Sequence, residues 1–582
     1  MIKPRTLSLR GFIYVIQGEG ILKIELLTVT AKMILTVTKN SRLHIFLVCL
    51  NLVLTTPVKA QTEEWTYTYN GPANNADEAR SVVFGTDGNL YAAGFSFELV
   101  GDNDFAILSI DTTGSERWVY TYDGPGHFTD GANDLVYGTD ANLYAAGWSN
   151  GGSADIDITV ISVDSGGDER WVYRYNGTAN YVDNAFSIAY GLDGNIYAAG
   201  FTFTFAAGVT DFIVVSLTPS GNLRWIYNYD GGGRPWNGAN SIIYGPDDYI
   251  YAAGYCGGMG NDIDFAVICI DTAGNEEWIY KHDGSASDDD EAKSIVFGSD
   301  GNLYAAGYSS GYSTGSDLTV VSLTTSGDEN WVYQYNGSGN NNDEAKSLVY
   351  GLDNNLYAAG YTQNASSDSD LVVVSVDTGG NEQWTYTYDG PAAYRDEAFS
   401  LAYGSDHNIY AAGYSFDNGT REDFTVVSLD STGEELGVYR YNGSHNLIDK
   451  ANSIIYGPDN NVYAAGMCFN NNTIVDLFIT CLEPVFGIEE GSSTISSTQR
   501  ILSVSSFFND KISIWFTEEV ENGLKIVIYN ILGELVYEKD LYSTPSLLEL
   551  KDSRLARLPK GVYFLSVVQG YRNYPCEKIV KY

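Results

Sequence analysis

"DGNLYAAGYS", residues 300–309, reads as the exit of a tight turn followed by a strand. Its core, YAAG, returns eight times, at 91, 144, 197, 251, 304, 357, 410 and 463. Aligning on that tetrapeptide recovers a long unit, for example "DDEAKSIVFGSDGNLYAAGYSSGYSTGSDLTVVSLTTSGDENWVYQYNG" at 289–337. Each unit offers four short apolar or alternating runs (here SIVFG, NLYAAGYS, DLTVVSL and WVYQY) divided by Gly, Asn and Asp turn chemistry. Trp65, Trp118, Trp171, Trp225, Trp278, Trp331 and Trp384 recur at steps of 53 or 54, and Gly437 takes the eighth slot.

Four strands per unit, repeated eight times, is the pattern of β-propeller blades. Blades radiate like spokes, so the gap between neighbouring sheets widens with radius. Small side chains belong near the axis and large ones at the rim, which puts Ala-Ala-Gly inside and the Trp-x-Tyr-x-Tyr ladder outside. On this reading YAAG is a spacer that lets eight sheets converge. The chain begins out of phase: "WTYTYNG" (65–71) precedes the first inner strand, and the last copy stops after "DLFITCLE" (476–483). Pairing the two closes the ring and removes two exposed edges. A slower period underlies this one, since "ANSIIYGPD" occurs at 239–247 and again at 451–459. The expected fold is therefore all-β: an eight-bladed β-propeller over 61–484, built from a duplicated four-blade half and closed by its N-terminal strand.

The flanks read differently. From Met33, Lys39 and Arg42 precede "IFLVCLNLVLTTPV", and Val58-Lys59-Ala60 fits a cleavage site, so residues 1–60 are expected to contain a secretory signal peptide, with 1–32 an upstream start called too early. The apolar run is too short for a stable anchor, so no transmembrane anchor is expected. A Ser/Thr/Gly-rich stretch marks 485–500 as a linker, and the short alternating strands of 501–582 suggest a small C-terminal β-sandwich.

The formal net charge is −42; residues 61–484 carry −47, whereas 485–582 are near neutral. So acidic a body repels phosphate backbones and anionic lipid, which argues against nucleic-acid binding. The sequence contains no nucleophile elbow, zinc motif, phosphate-cradling loop or complete calcium loop, so no catalytic residue, metal ligand or cofactor is assigned. "SDDDEA" (287–292) and "DNDF" (102–105) read as solvated acidic loops that could hold a weak Ca2+. Residues present in every blade serve the blade. Asp87 and its equivalents in the G-x-D-x-N turn, Asp77 and its equivalents before the inner strand, and Asp104 and its equivalents at the start of the third are all read as turn and cap hydrogen bonding.

Cys256 and Cys269 occupy the same repeat positions as Cys468 and Cys481. Paired replacement suggests disulfides. Hairpin register, however, separates each pair by roughly 10 Å, beyond the ~7 Å Cα reach of a bridge, and buried thiols are the other reading. What varies between copies is the link from each outer strand to the next inner one. His127, Phe128, Tyr181, Arg234, Trp236, Tyr394, Arg395 and His445 lie on these links, at the rim where propellers most often bind ligands. Aromatic faces with Arg suit a glycan or a protein.

The repeat, with its D-x-A-x-S-I, D-x-x-G-N-x-Y-x-x-G and distal Trp strand, resembles the bacterial SBBP-type β-propeller repeat over about residues 62–484, a likeness that speaks for fold and not function. The tail resembles the type A C-terminal sorting domain of type IX secretion cargo. The matching positions are Gly533 in "IYNILGELV", Pro559, Gly561 and Tyr563 in "LPKGVYFL", and Lys578 to Lys581, although "FFNDKISIW" replaces the usual Asn-Pro opening. That resemblance implies transit of the periplasm and outer membrane of a Gram-negative bacterium, engagement of a secretion translocon and sortase, and release or surface attachment. Three functions remain open: an exported non-catalytic glycan or protein binder, a polysaccharide hydrolase or lyase using channel-mouth carboxylates, and a structural surface adhesin. An enzyme should set two or more blade-specific titratable groups close together at the channel mouth. No acid cluster beyond Asp288 to Glu291 is visible in the sequence, which favours the binder.

Overall fold

A computed structural model of the chain describes residues 61–484, apart from 99–101, 153–154, 205–208, 259–261, 287, 367, 393, 418, 420 and 471–474, and then the strands between 502 and 581. The signal segment, the linker, Gly533, Pro559 and Cys576 lie outside the described residues.

Eight four-stranded antiparallel sheets follow one another in the order inner, second, third, outer. Blade 1 comprises Glu78–Phe84, Leu90–Phe97, Asn103–Ile110 and Glu116–Tyr122. Blade 8 comprises Lys450–Tyr456, Val462–Cys468 and Asp476–Leu482, and its outer strand is Glu63–Tyr69 from the beginning of the chain, with Trp65 opposite Cys481 and Tyr69 opposite Leu477. Inner strands touch inner strands all the way round, blade 8 against blade 1 included. The chain is thus an eight-bladed β-propeller closed by its N-terminal strand, as the phase of the repeat requires.

The alanines of YAAG behave as the wedge argument expects. Ala92 packs in the cluster shared with blade 8 (Tyr463, Ala465, Leu477), and Ala93 in the one shared with blade 2 (Ala132, Leu135, Ala145). The glycine has another task. The inner strand bulges between Ala79 and Ser81, and the bulge pushes the Glu78 carbonyl onto Gly94, where a Cβ would stand 1.9 Å from that oxygen. The same contact recurs at 1.8–2.0 Å in all eight blades. Gly94 therefore admits a bulge within its own sheet; the spacing between sheets comes from the alanines.

The outer strands form straps. Trp65 Nε1 donates to the Thr112 carbonyl at 2.9 Å, in the third-to-outer turn of the next blade, and Trp118, Trp171, Trp225, Trp278, Trp331 and Trp384 repeat the contact. Gly114 in that turn combines φ +83° with a Cβ position 2.8 Å from the Trp65 ring, so a side chain is excluded twice. This explains Gly437. A Trp there would need a third-to-outer turn in blade 8, but in that blade the two strands come from opposite ends of the chain. Gln61 lies in that region instead, accepting from Ser428 Oγ at 2.8 Å and donating to the Glu483 carbonyl.

Beyond the propeller, one sheet runs in the order Leu502–Val504, Lys511–Phe516, Leu547–Lys551. A second runs Phe507–Phe508, Glu577–Lys581, Gly561–Gln569, Glu521–Asn530, Leu535–Ser543, with Arg572–Asn573 beside Gly561–Gln569. Gly561 pairs with Lys581, and Phe564 with Lys578.

Candidate functional site: the loop rim and channel mouth

Each outer-to-inner link is fastened by one side chain, a carboxylate in seven of the eight blades. Asp77, fully buried, accepts from the Gly71 N–H at 2.7 Å and from the Phe97 N–H at 2.9 Å, tying the link to the neighbouring hairpin. Asp130, Asp183, Asp290, Asp343, Asp396 and Asp449 repeat this; in blade 4 Asn237 Oδ1 accepts from the Gly257 N–H and its Nδ2 donates to the Arg234 carbonyl of the link. Asp87 likewise caps its turn, accepting from Asn89 and from the Tyr91 hydroxyl at 2.6 Å. Both columns are structural, as their regularity implies. The third-strand column is not a set of caps: Asp104, Asp211, Asp317 and Asp370 each bury an oxygen that accepts no hydrogen bond. In blades 2 and 7 the equivalents, Asp157 and Asp423, also bury Oδ1, and their Oδ2 atoms are paired with Arg174 and Arg440 from the outer strand.

These carboxyls titrate unusually. Burial pushes Asp77, Asp130, Asp290 and Asp449 up to about 6, and Asp104 and Asp396 up to about 7. A carboxyl raised on folding binds its proton more tightly in the native state, so its contribution is present at low pH and lost as pH rises through 6 to 7. At Asp87 burial also acts upward, but hydrogen bonds from Tyr91 and Asn89 hold the group below its usual range, so this contribution fails only in strong acid. The denaturation midpoint is therefore expected to be higher at pH 4.5 than at pH 7.5 in EDTA. A flat or rising profile between those values would contradict the buried-carboxylate account.

The eight rim candidates are spread over five links, and five of them (His127, Phe128, Tyr181, Arg234 and Trp236) fall on three consecutive ones. Phe128, Tyr181 and Tyr394 are each 56% exposed and Trp236 is 46% exposed. Trp236 also sits at φ +64° and His127 at φ +52°, left-handed conformations that are costly for such residues. His127 Nδ1 lies 2.6 Å from Asp123 Oδ2. Arg234 packs its Cβ towards Gly257; Arg395 and His445 are exposed. Tyr181 meets Phe203 edge-on at 5.0 Å, Phe203 meets Phe201, and Phe201 meets Phe186 of the inner strand, an aromatic path from rim to channel. Tyr394 packs on Phe416 at 4.6 Å. A cavity of about 430 Å³ opens beside Phe128, lined by Phe97, Asp102, Asn103 and Ile156 among others.

Sequence reasoning missed the channel mouth. The residue after YAAG is Phe95, Trp148, Phe201, Tyr255, Tyr308, Tyr361 or Tyr414 in seven blades and Met467 in the eighth. Setting aside whatever recurs in every copy removed this column, although the inner-strand residues facing it vary. Arg80 stacks over Phe95 and Trp148, Lys293 over Tyr308, Lys346 over Tyr361 and Phe399, and Lys450 over Tyr414. A second cavity, of about 400 Å³, lies here between blades 5 and 6, lined by Asp288, Asp289, Lys293, Tyr308, Glu344 and Tyr361 among others. Burial raises Glu344 and Asp289, against Lys293 and Lys346 in the first case and a bond from the Ile263 N–H in the second. The channel mouth thus does hold blade-specific acids, each set among lysines or backbone donors.

Seven blades carry Ser at the first position after the bulge, and blade 2 carries Asp134. Ser187, Ser294, Ser347, Ser400 and Ser453 each accept a backbone N–H from the next blade. Asp134 accepts from Ser81, Ser187 and the Leu135 and Ile188 N–H groups; burial pushes its carboxyl up against those bonds.

Cys256, Cys269, Cys468 and Cys481 are buried free thiols. Cys256 pairs with Asp264 and Cys269 with Tyr251, five residues along the ladder, so about 16 Å of strand separates them and the disulfide reading is overturned. Among the described residues, three carboxylate groups could hold a cation: Asp104, Asp123 and Asp130; Asp264, Asp283 and Asp290; and Asp368, Asp370 and Asp389.

Residues 508–581 match the family model described as a secretion system C-terminal sorting domain. The chain therefore carries a type IX secretion sorting tail and is exported to the outer surface or secreted. No described helix is long and apolar enough to cross a membrane. A search of curated proteins found no match to the chain. Solved structures similar to it include PorZ, a surface component of the type IX secretion system of Porphyromonas gingivalis (10% identity, 87% of this chain and 81% of that one, TM-score 0.32). They also include a protein of unknown function from Dyadobacter fermentans (11%, 74% and 100%, TM-score 0.35) and NanB sialidase from Streptococcus pneumoniae (11%, 60% and 67%, TM-score 0.34). At these TM-scores none bears on what the chain does.

Proposed function

We propose that the exported propeller is a non-catalytic binding protein whose ligand is a glycan chain held across the loop rim. The observation that carries this reading is the run of Phe128, Tyr181 and Trp236 on three consecutive links, each about half exposed, with aromatic packing continuing from Tyr181 to the channel. Large apolar rings held open to solvent on rigid links offer flat contact area at low entropic cost. A propeller body of charge −47 disfavours anionic polysaccharides, so the glycan is neutral or basic.

A glycan and peptide array probed with the purified chain tests this. Binding to neutral or basic glycans, weakened about tenfold or more (about 1.4 kcal/mol) by Trp236→Ala and by Tyr181→Ala, is expected. Binding confined to peptides, or unchanged in both variants, would discard the glycan site.

A second reading has its own support in the cavity between blades 5 and 6, where Glu344 lies with Asp288 and Asp289. Neighbouring carboxyls in one cavity are the equipment of glycoside hydrolysis. Release of reducing ends from a bound glycan, abolished by Glu344→Gln, would favour this over the binding reading. The engagement of a sortase and the boundary of the tail that it would remove belong to the same proposal, and mass analysis of the exported protein measures both.

A further inference from the structure

We infer that blade 1 binds a divalent cation, most suitably Ca2+, through Asp104, Asp123 and Asp130. One carboxylate oxygen from each lies within 4.8 Å of the other two. Two oxygens bound to one Ca2+ at 2.3–2.6 Å stand at most about 5 Å apart, so the three already have the reach of a shared ion. The donor set is all oxygen, which suits a hard cation.

Acidic neighbours alone would not make a site. Asp104 does, because it is 6% exposed and its buried Oδ1 accepts no hydrogen bond. An ionised carboxylate in that position is costly unless something positive meets it. Asp130 is fully buried and locked by the Gly124 and Asn150 N–H groups at 2.8 and 2.7 Å. Asp123 is held from the solvent side by His127 at Oδ2. Glu98 and Asp102 add to the negative field of Asp123 around Asp104, whose carboxyl is pushed up by burial first and by Asp123 next.

The other blades reveal what the position demands. In blade 2 the equivalent of Asp104 is Asp157, whose Oδ1 is buried in the same way but whose Oδ2 is bonded directly by Arg174; in blade 7 Arg440 Nη2 reaches Asp423 Oδ2 at 2.6 Å. The residue two places after each arginine, in the slot of Asp123, is Asn176 or Asn442. Blade 1 has Thr121 where the arginine would be, and Asp123 where the asparagine would be. It therefore loses the built-in cation and gains a carboxylate in the same place. Self-repulsion of that kind is unfavourable without an outside positive charge, and millimolar extracellular Ca2+ is the fitting source.

The test is equilibrium dialysis of the full chain against Ca2+ at 0.1–10 mM. Wild-type chain is expected to bind with sub-millimolar to millimolar affinity, and Asp104→Asn to lose one equivalent or to weaken that site at least tenfold. Because Asp104→Asn could perturb folding, the double variant Thr121→Arg, Asp123→Asn rebuilds the arrangement of blade 2. It should lose the same equivalent while its melting temperature in EDTA equals or exceeds that of wild type. No Ca2+ bound by wild type at 10 mM, or an unchanged stoichiometry and affinity in both variants, would overturn the site.

Discussion

Replacing Gly307 by Ala is expected to destabilise the propeller by at least about 3 kcal/mol, out of proportion to one added methyl group. The new Cβ would stand 1.9 Å from the Glu291 carbonyl oxygen. That atom belongs to the bulge of the inner strand, between Ala292 and Ser294, and no side-chain rotation can move it. The bulge must flatten, and flattening shifts every inner-strand side chain after it to the opposite face, away from its buried partners. Gly301→Ala provides the control. Its φ of +84° is equally foreign to alanine, but nothing lies within 4 Å of the added carbon, so only the backbone conformation is penalised, by about 1–2 kcal/mol. Chemical denaturation midpoints of the two variants should differ clearly. Equal losses would mean that the bulge relaxes and that the glycine serves conformation alone.

Removing residues 61–70 should be more damaging still. The deletion strips Trp65, Tyr67 and Tyr69 from the cluster between blades 8 and 1, and exposes the hydrogen-bonding edge of Asp476–Leu482. It also cuts the straps from Trp65 to Thr112, from Tyr67 to Glu116 at 2.6 Å, and from Tyr439 to Glu63 at 2.6 Å. A loss comparable to the stability of an ordinary domain, about 5 kcal/mol or more, is expected, with association through the freed edge. A synthetic peptide covering 61–71 should restore a cooperative transition by adding itself as the missing strand. A truncated chain that melts like the intact one would refute closure by this strand.

The architecture was legible because it is written in repetition. Register, blade number and closure follow from the positions of YAAG and Trp, and each copy checks the others. What failed to read out was what depends on a partner in space. The glycine of YAAG was assigned to spacing between sheets, since a bulge depends on which carbonyl faces it across the ladder. The Asp104 column was taken for caps because its regularity matched that of Asp77. Only the structure distinguishes a carboxylate that meets backbone N–H groups from one that meets Arg174 or nothing. Phe95 and its equivalents escaped because constancy was equated with structural duty, although a ring of symmetry-related aromatics around a channel can serve both. Gly437 shows the reverse: it is the one departure in its column, and closure accounts for it.

The path by which the chain leaves the propeller has a mechanical consequence. The sorting tail hangs from Asp476–Leu482, and that strand lies between Val462–Cys468 on one flank and Glu63–Tyr69 on the other. Tension applied through the tail during export or anchoring runs along a rail clamped on both sides, loading two ladders in shear with all their bonds sharing the strain. A tail attached to an outer strand would instead be peeled off one bond at a time. The borrowed first strand thus makes the tail's point of attachment one of the hardest places on the molecule from which to begin unravelling it.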